Sequence, residues 1–101
     1  MCQLTAIYVL ATPEAPETTP KVAACRKVCE SQGWPIGRTI RERDTARPKL
    51  AGLAAAAERG EMARVVFFDW DAMAAGPGIE DWHACVYRIH RAGVRVSLAT
   101  A

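Results

Sequence analysis

The sequence predicts an α/β fold, a three-layer doubly wound sheet of four mainly parallel strands in the order 2-1-3-4. Three observations carry that expectation. Apolar segments of strand length alternate along the chain with segments of helical period. Two of the strand segments, residues 6–11 and 65–68, are apolar without interruption, as strands buried on both faces are. The other two mix apolar with polar residues, as half-exposed edge strands do. Right-handed crossovers with the two apolar strands in the interior then leave 2-1-3-4 as the order.

Ala6-Ile7-Tyr8-Val9-Leu10-Ala11 is the first strand. Residues 12–20 hold three prolines, two glutamates and three threonines, a composition that ends a strand and makes a loop. Over residues 21–32, Val22, Cys25, Val28 and Cys29 share a helical face, and Gly33 is the stop. Ile36, Arg38 and Ile40 against Gly37, Thr39 and Arg41 form the second strand, which leads into a charged connection over residues 41–47. Pro48 opens a helix with Leu50, Leu53, Ala54 and Ala57 at i, i+3, i+4 and i+7, and Gly60 ends it. The third strand runs from Val65 into Asp69 and Asp71, and Gly76-Pro77-Gly78 breaks any helix begun after Asp71. Ile79, Trp82, Cys85, Val86 and Ile89 stripe a last helix closed by Gly93, and Val94, Val96 and Leu98 alternate with Arg95 and Ser97 in the fourth strand.

The chain has 101 residues, half of them hydrophobic, which is enough for one core, so residues 1–101 are expected to form a single domain. Thirteen basic against eleven acidic side chains lack the cationic excess of a stand-alone DNA-binding domain. Four cysteines with no Cys-x-x-Cys pair, and an N-terminus unlike a signal peptide, point to a reduced, cytoplasmic setting. No apolar run approaches the ~20 residues of a membrane-spanning helix, so no membrane partner is expected.

In the order 2-1-3-4 the chain reverses direction between strands one and three, which puts the crevice for a ligand or for chemistry beside Thr12 and the Asp69/Asp71 pair. Those two aspartates with Glu14 or Glu17 resemble the Glu plus Asp-x-Asp arrangement of TOPRIM metal sites. Against this, the glutamates lie in a proline-broken loop without the expected neighbouring glycine, and solvated or capping carboxylates are the better description. No metal and no cofactor is expected. Cys25 and Cys29, at i and i+4, are small core residues, too far apart for an unstrained disulfide. His83 and Cys85 diverge on a helix and have no zinc-like spacing with His90. Trp34 and Trp82 suit the edge of a core or a contact between chains as well as a stacking platform for bases, and Trp70 is as suited to an interface as to burial. Arg41, Arg43, Arg47 and Lys49 form the densest positive segment, a candidate nucleic-acid or phosphate contact that a solvated loop face would equally produce.

Several segments taken in order resemble the N-terminal catalytic domain of the serine recombinases, the resolvase/invertase family. Ala6-Ile7-Tyr8 resembles its first strand, and Ala24-Cys25 through Gly33-Trp34 the end of its first helix and the exit into strand two. Arg47-Pro48-Lys49-Leu50 with Leu53, Ala57 and Gly60-Glu61 resembles the helix that carries an active-site arginine. The run from Val65 to Asp71 resembles the strand ending in Leu-Asp-Arg, and Ala92-Gly93-Val94-Arg95-Val96 the last helix-to-strand exit. The resemblance spans nearly the whole chain.

It also implies which residues are lost. The family's first-strand arginine falls on Leu10, its nucleophilic serine on Thr12, and the two arginines after the strand-three aspartate on Ala72 and Ala75. Only Arg47 and Asp71 remain, so Thr12, Arg47 and Asp71 are a vestigial catalytic set. The Ser-Gly pair usual before Arg47 is replaced by Glu42-Arg43-Asp44-Thr45-Ala46. Metal-free phosphoryl transfer leans on arginines to neutralise the phosphoryl oxygens, and loss of one comparable donor costs ~10²–10³ in rate. Thr12 is in addition a β-branched alcohol ahead of Pro13 with no evident activating base.

The resemblance therefore implies a pseudoenzyme related to site-specific DNA recombination, acting by binding or oligomerisation, with a second copy or a recombinase-like protein as partner and DNA contacted weakly or through that partner. The alternatives are a weak phosphoryl-transfer enzyme, using Thr12 with Arg47 or a metal at Asp69/Asp71, and a DNA-binding regulator. Met1 reads as a natural start, and the family's long dimerising helix and DNA-binding extension have no counterpart up to Ala101.

Overall fold

The computed structural model describes residues 3–11, 16–43, 48–68 and 79–99. In chain order the elements are β1 (Thr5–Leu10), α1 (Thr19–Gln32), β2 (Ile36–Glu42), α2 (Pro48–Glu58), β3 (Arg64–Phe67), α3 (Ile79–Arg91) and β4 (Arg95–Leu98). They form an α/β domain whose four strands pair entirely in parallel in the order β2-β1-β3-β4, as expected. Register is set by Ala6↔Arg38 and Leu10↔Glu42 on one side of β1, and by Ala6↔Val65 and Tyr8↔Phe67 on the other.

Every residue of β1 is buried, which is why its sequence does not alternate. Ala6, Tyr8 and Leu10 share one face with Val65 and Phe67, under Leu50, Leu53, Ala54 and Ala57 of α2 and Trp82, Cys85 and Ile89 of α3. Among the described residues Trp82 is the largest fully buried side chain, and the Tyr8 ring meets Phe67 edge-on at 5.7 Å and 76°. Alanines on the buried side of α2 let it lie close against α3. The opposite face of the sheet, Ile7, Val9 and Val66, is covered by Val22, Cys25 and Cys29 of α1. Glu58 and Arg88 join α2 to α3 through a two-pronged ion pair of 2.5 and 3.1 Å, and this pairing holds the Glu58 carboxyl below its usual range.

Several boundaries differ from the sequence reading, and three of them bear on the site. The first helix begins at Thr19, with Pro20 in its first turn, where a missing N–H costs nothing. Gly33 ends it at φ 73°, its N–H and that of Trp34 taking the carbonyls of Glu30 and Cys29. The second strand runs on through Glu42, a residue that the composition assigns to a charged connection. The third strand ends at Phe67, before Asp69 and Asp71, which lie outside the described residues together with Trp70.

Burial pushes the Cys25 thiol from an ordinary 9.0 up to about 12, and Cys29 beside it adds to the rise. The unfolded chain therefore gives up this proton at lower pH than the folded one. Stability contributed by Cys25 is complete below pH 9 and falls as the pH climbs toward 12. Urea midpoints measured across that range should decline less steeply for Cys25→Ala than for the parent chain, and parallel profiles would contradict this account.

Candidate functional site

In an open α/β sheet the useful crevice lies at the carboxyl ends of adjacent strands whose connections leave toward opposite faces. Here those strands are β1 and β3. α1 comes after β1 on one face, and α3 after β3 on the other. The site is built where they end.

Lys21 is buried, and its Nζ donates to the Leu10 carbonyl at 2.8 Å while lying 6.0 Å from the centre of the Phe68 ring. A cation is thus fixed between the last residue of β1 and the first residue after β3. Helix geometry explains its inward course: α1 starts two residues before Lys21, so Lys21 and Val22 both turn toward the sheet, with Cys25 one turn on.

At the same end of the sheet, on the α2 side, Glu42 closes β2 and is only 1% exposed. Its Oε1 accepts from the backbone N–H groups of Lys49 at 2.9 Å and Leu50 at 3.3 Å, and from the Tyr8 hydroxyl at 3.3 Å. Pro48 leads α2 without a donor, so the first two N–H groups that the helix leaves unpaired both reach this carboxylate. The negative charge also meets the positive end of the helix dipole. Three donors converging on one oxygen make this carboxylate a structural cap.

Further cations lie along the same edge. The Lys49 ammonium donates to the Arg41 carbonyl at 2.9 Å, and the Arg41 guanidinium reaches Thr19 Oγ1 at 3.4 Å, tying the end of β2 to the start of α1. Arg41, Arg43 and Lys49 are all exposed, as a nucleic-acid contact requires and as a solvated face would also be. Of the other residues picked out from the sequence, Thr12, Arg47, Asp69 and Asp71 lie outside the described residues, as do Glu14, Ala72 and Ala75. Glu17 is exposed. Among the described residues no three His, Cys, Asp or Glu side chains gather as metal ligands.

His83 is exposed and Cys85 buried, in keeping with their divergence along the helix. Trp82 is core. Trp34 is half-buried, and the Arg64 guanidinium lies 3.8 Å from the centre of its ring. Lys21 and Glu42 are the two residues at the crevice that composition and periodicity missed. A spacing signal existed for Glu42 alone, in a carboxylate six residues before a proline that opens a helix.

These features define an open, doubly wound α/β domain with a cationic carboxyl edge. Comparison with protein-family models, with curated proteins and with solved structures finds no match.

Replacing Glu42 by alanine leaves two helix N–H groups and a buried phenol without their acceptor. Loss of a cap together with charge-assisted bonds should cost about 2–3 kcal/mol. Glu42→Gln, which keeps an acceptor oxygen, should recover part of that. The measurement is the urea midpoint of both variants, and equal stability of Glu42→Ala and the parent would rule out the capping role.

Proposed function

We propose that this chain is a degenerate resolvase-like domain, related to site-specific DNA recombination, that acts as a binding or oligomerisation module and does not cleave DNA. The observation that carries the reading is at position 10. Leu10 stands where the resemblance puts the family's first-strand arginine, and it is 8% exposed among the apolar side chains under α2 and α3. A leucine packed there offers no charge to a phosphoryl oxygen. Ala72 and Ala75, where the family's other two arginines would fall, offer none either. The parallel 2-1-3-4 sheet agrees with the architecture that the resemblance implies, although fold alone does not specify activity.

Association is supported by the sheet edges. β2 and β4 each pair on one side only among the described residues, and β4 is uncharged after Arg95. Such an edge is a ready surface for a second copy or a recombinase-like partner. DNA contact on this reading is weak or made through the partner, with Arg41, Arg43 and Lys49 exposed for it and Arg47 the fourth member of that segment. The setting is the cytoplasm. No helix among the described residues is long and apolar enough to cross a membrane.

Two measurements test the reading. Supercoiled plasmid incubated with the chain, with and without Mg²⁺, should remain supercoiled. Nicking that Thr12→Ala abolishes would instead establish a phosphoryl-transfer enzyme. Light scattering should give a mass above 11.0 kDa, the monomer, and a strict monomer with no effect on a recombinase would sink the module.

A further inference from the structure

The end of the sheet opposite the crevice carries an unassigned cluster. β4 pairs with β3 through Arg64↔Arg95, Val65↔Val96 and Val66↔Ser97. Val65 and Val96 pack toward α2 and α3, and Val66 toward α1, so Arg64, Arg95 and Ser97 project from the α1 face. α1 itself lies over β1 and β2. What remains over β3 and β4 is a cleft of about 550 Å³ whose lining includes Trp34, Arg64, His90, Arg95 and Ser97, and, among the described residues, no acidic one.

Two arginines thus face each other as partners on neighbouring strands, an arrangement that like charges oppose. Neither side chain makes a hydrogen bond or ion pair among the described residues, whereas Arg38, Arg59 and Arg88 each find a glutamate. Arg64 is also held. Its guanidinium lies over the Trp34 ring, which restrains it and leaves its edge donors free to form a fork.

The carboxyl ends of α1 and α3 both reach this side of the sheet and bring about half a negative charge each. Part of each last turn is already bonded, the Glu30 and Cys29 carbonyls by Gly33 and Trp34 N–H and the His90 and Ile89 carbonyls by Gly93 and Val94 N–H. The two full positive charges outweigh those partial ones.

We propose that this cleft binds a phosphate monoester. A monoester carries about −1.5 to −2 at neutral pH, which matches two uncompensated guanidiniums, while a carboxylate would leave one unmatched. Arg64 supplies a preorganised fork and Arg95 the second, with His90 and the Ser97 hydroxyl at hand for the remaining oxygens. At ~3.3 Å per residue, Arg64 lies about 13 Å along the strand from Phe68 and the crevice. The assignment is therefore independent of the resolvase-like reading and stands or falls without it.

The test is a ¹H–¹⁵N titration of the full chain with inorganic phosphate and then AMP, at ionic strength held constant with NaCl. Saturable shifts should appear at the Trp34 indole N–H and at the Arg95 and Ser97 amides. Arg64→Gln and Arg95→Gln should each weaken binding about tenfold, the loss of one charge-assisted contact. Arg95→Glu, which sets a carboxylate opposite Arg64, should abolish binding while the spectrum stays that of a folded chain.

The proposal is overturned if no saturable shift occurs up to about 10 mM ligand, if NaCl alone produces the same shifts, or if Arg95→Gln binds as the parent does. It is also overturned if an oligothymidylate without terminal phosphate binds these residues more tightly than AMP, since the site would then belong to a nucleic-acid strand.

Discussion

The hydrogen bonds converging on Glu42 Oε1 organise the carboxyl edge of this domain. Between β2 and α2 the chain must pass from the sheet edge to the layer above β1 and β3, and the carboxylate is the point where strand, helix and central strand meet. It belongs to β2, caps α2 through Lys49 and Leu50, and takes the hydroxyl of Tyr8 from β1. A carboxylate at 1% exposure is tolerated only with such a full set of donors. The same requirement fixes register. Leu10 pairs with Glu42, and the Ala11 N–H takes the Glu42 carbonyl at 2.8 Å, so slipping β2 by one residue would carry the carboxylate to the other face.

Much of this architecture is legible in the sequence because side-chain period reports burial. Uninterrupted apolar residues in β1 and β3 mark the interior strands, and the Leu50, Leu53, Ala54, Ala57 spacing marks the face of α2 that meets the core. Polar partners are not legible in the same way. Glu42 stands between two arginines and looks like part of a solvated loop, and its acceptor role depends on donors seven, eight and 34 residues away. Lys21 is hidden for another reason. Its burial comes from where α1 begins, and a helix start in a loop holding three prolines is poorly marked by hydrophobic spacing. At the candidate site the exposed positions Arg41, Arg43 and Lys49 agree with a positive segment read from composition, whereas Thr12, Arg47 and Asp71 lie outside the described residues.

The two ends of the sheet treat positive charge differently. At the carboxyl edge Lys21, Arg41 and Lys49 are engaged with backbone carbonyls or a hydroxyl, so their charges also serve to join strand ends to helix starts. At the amino end the Arg64 and Arg95 side chains make no hydrogen bond or ion pair among the described residues. Arg64 is oriented by an aromatic ring, which leaves its hydrogen-bonding capacity unspent, and Arg95 faces it across one rung of the ladder. The first arrangement is what a fold needs from its cations, and the second is what a ligand needs.

Position 10 joins stability to the proposed loss of catalysis. In β1 the residues on the α2 side are Ala6, Tyr8 and Leu10, and all three are buried. An arginine at the last of them would have to carry its guanidinium out of an apolar layer or find a counter-charge there, and desolvating an unpaired cation costs several kcal/mol. A catalytic site supports such residues at the expense of stability. Leucine removes that conflict and adds apolar contact beneath α2. On the proposed reading, replacing the arginine strengthens the core while disarming the crevice, so the sheet has no need of catalytic charge to keep its order, and the domain can persist on what its surfaces bind.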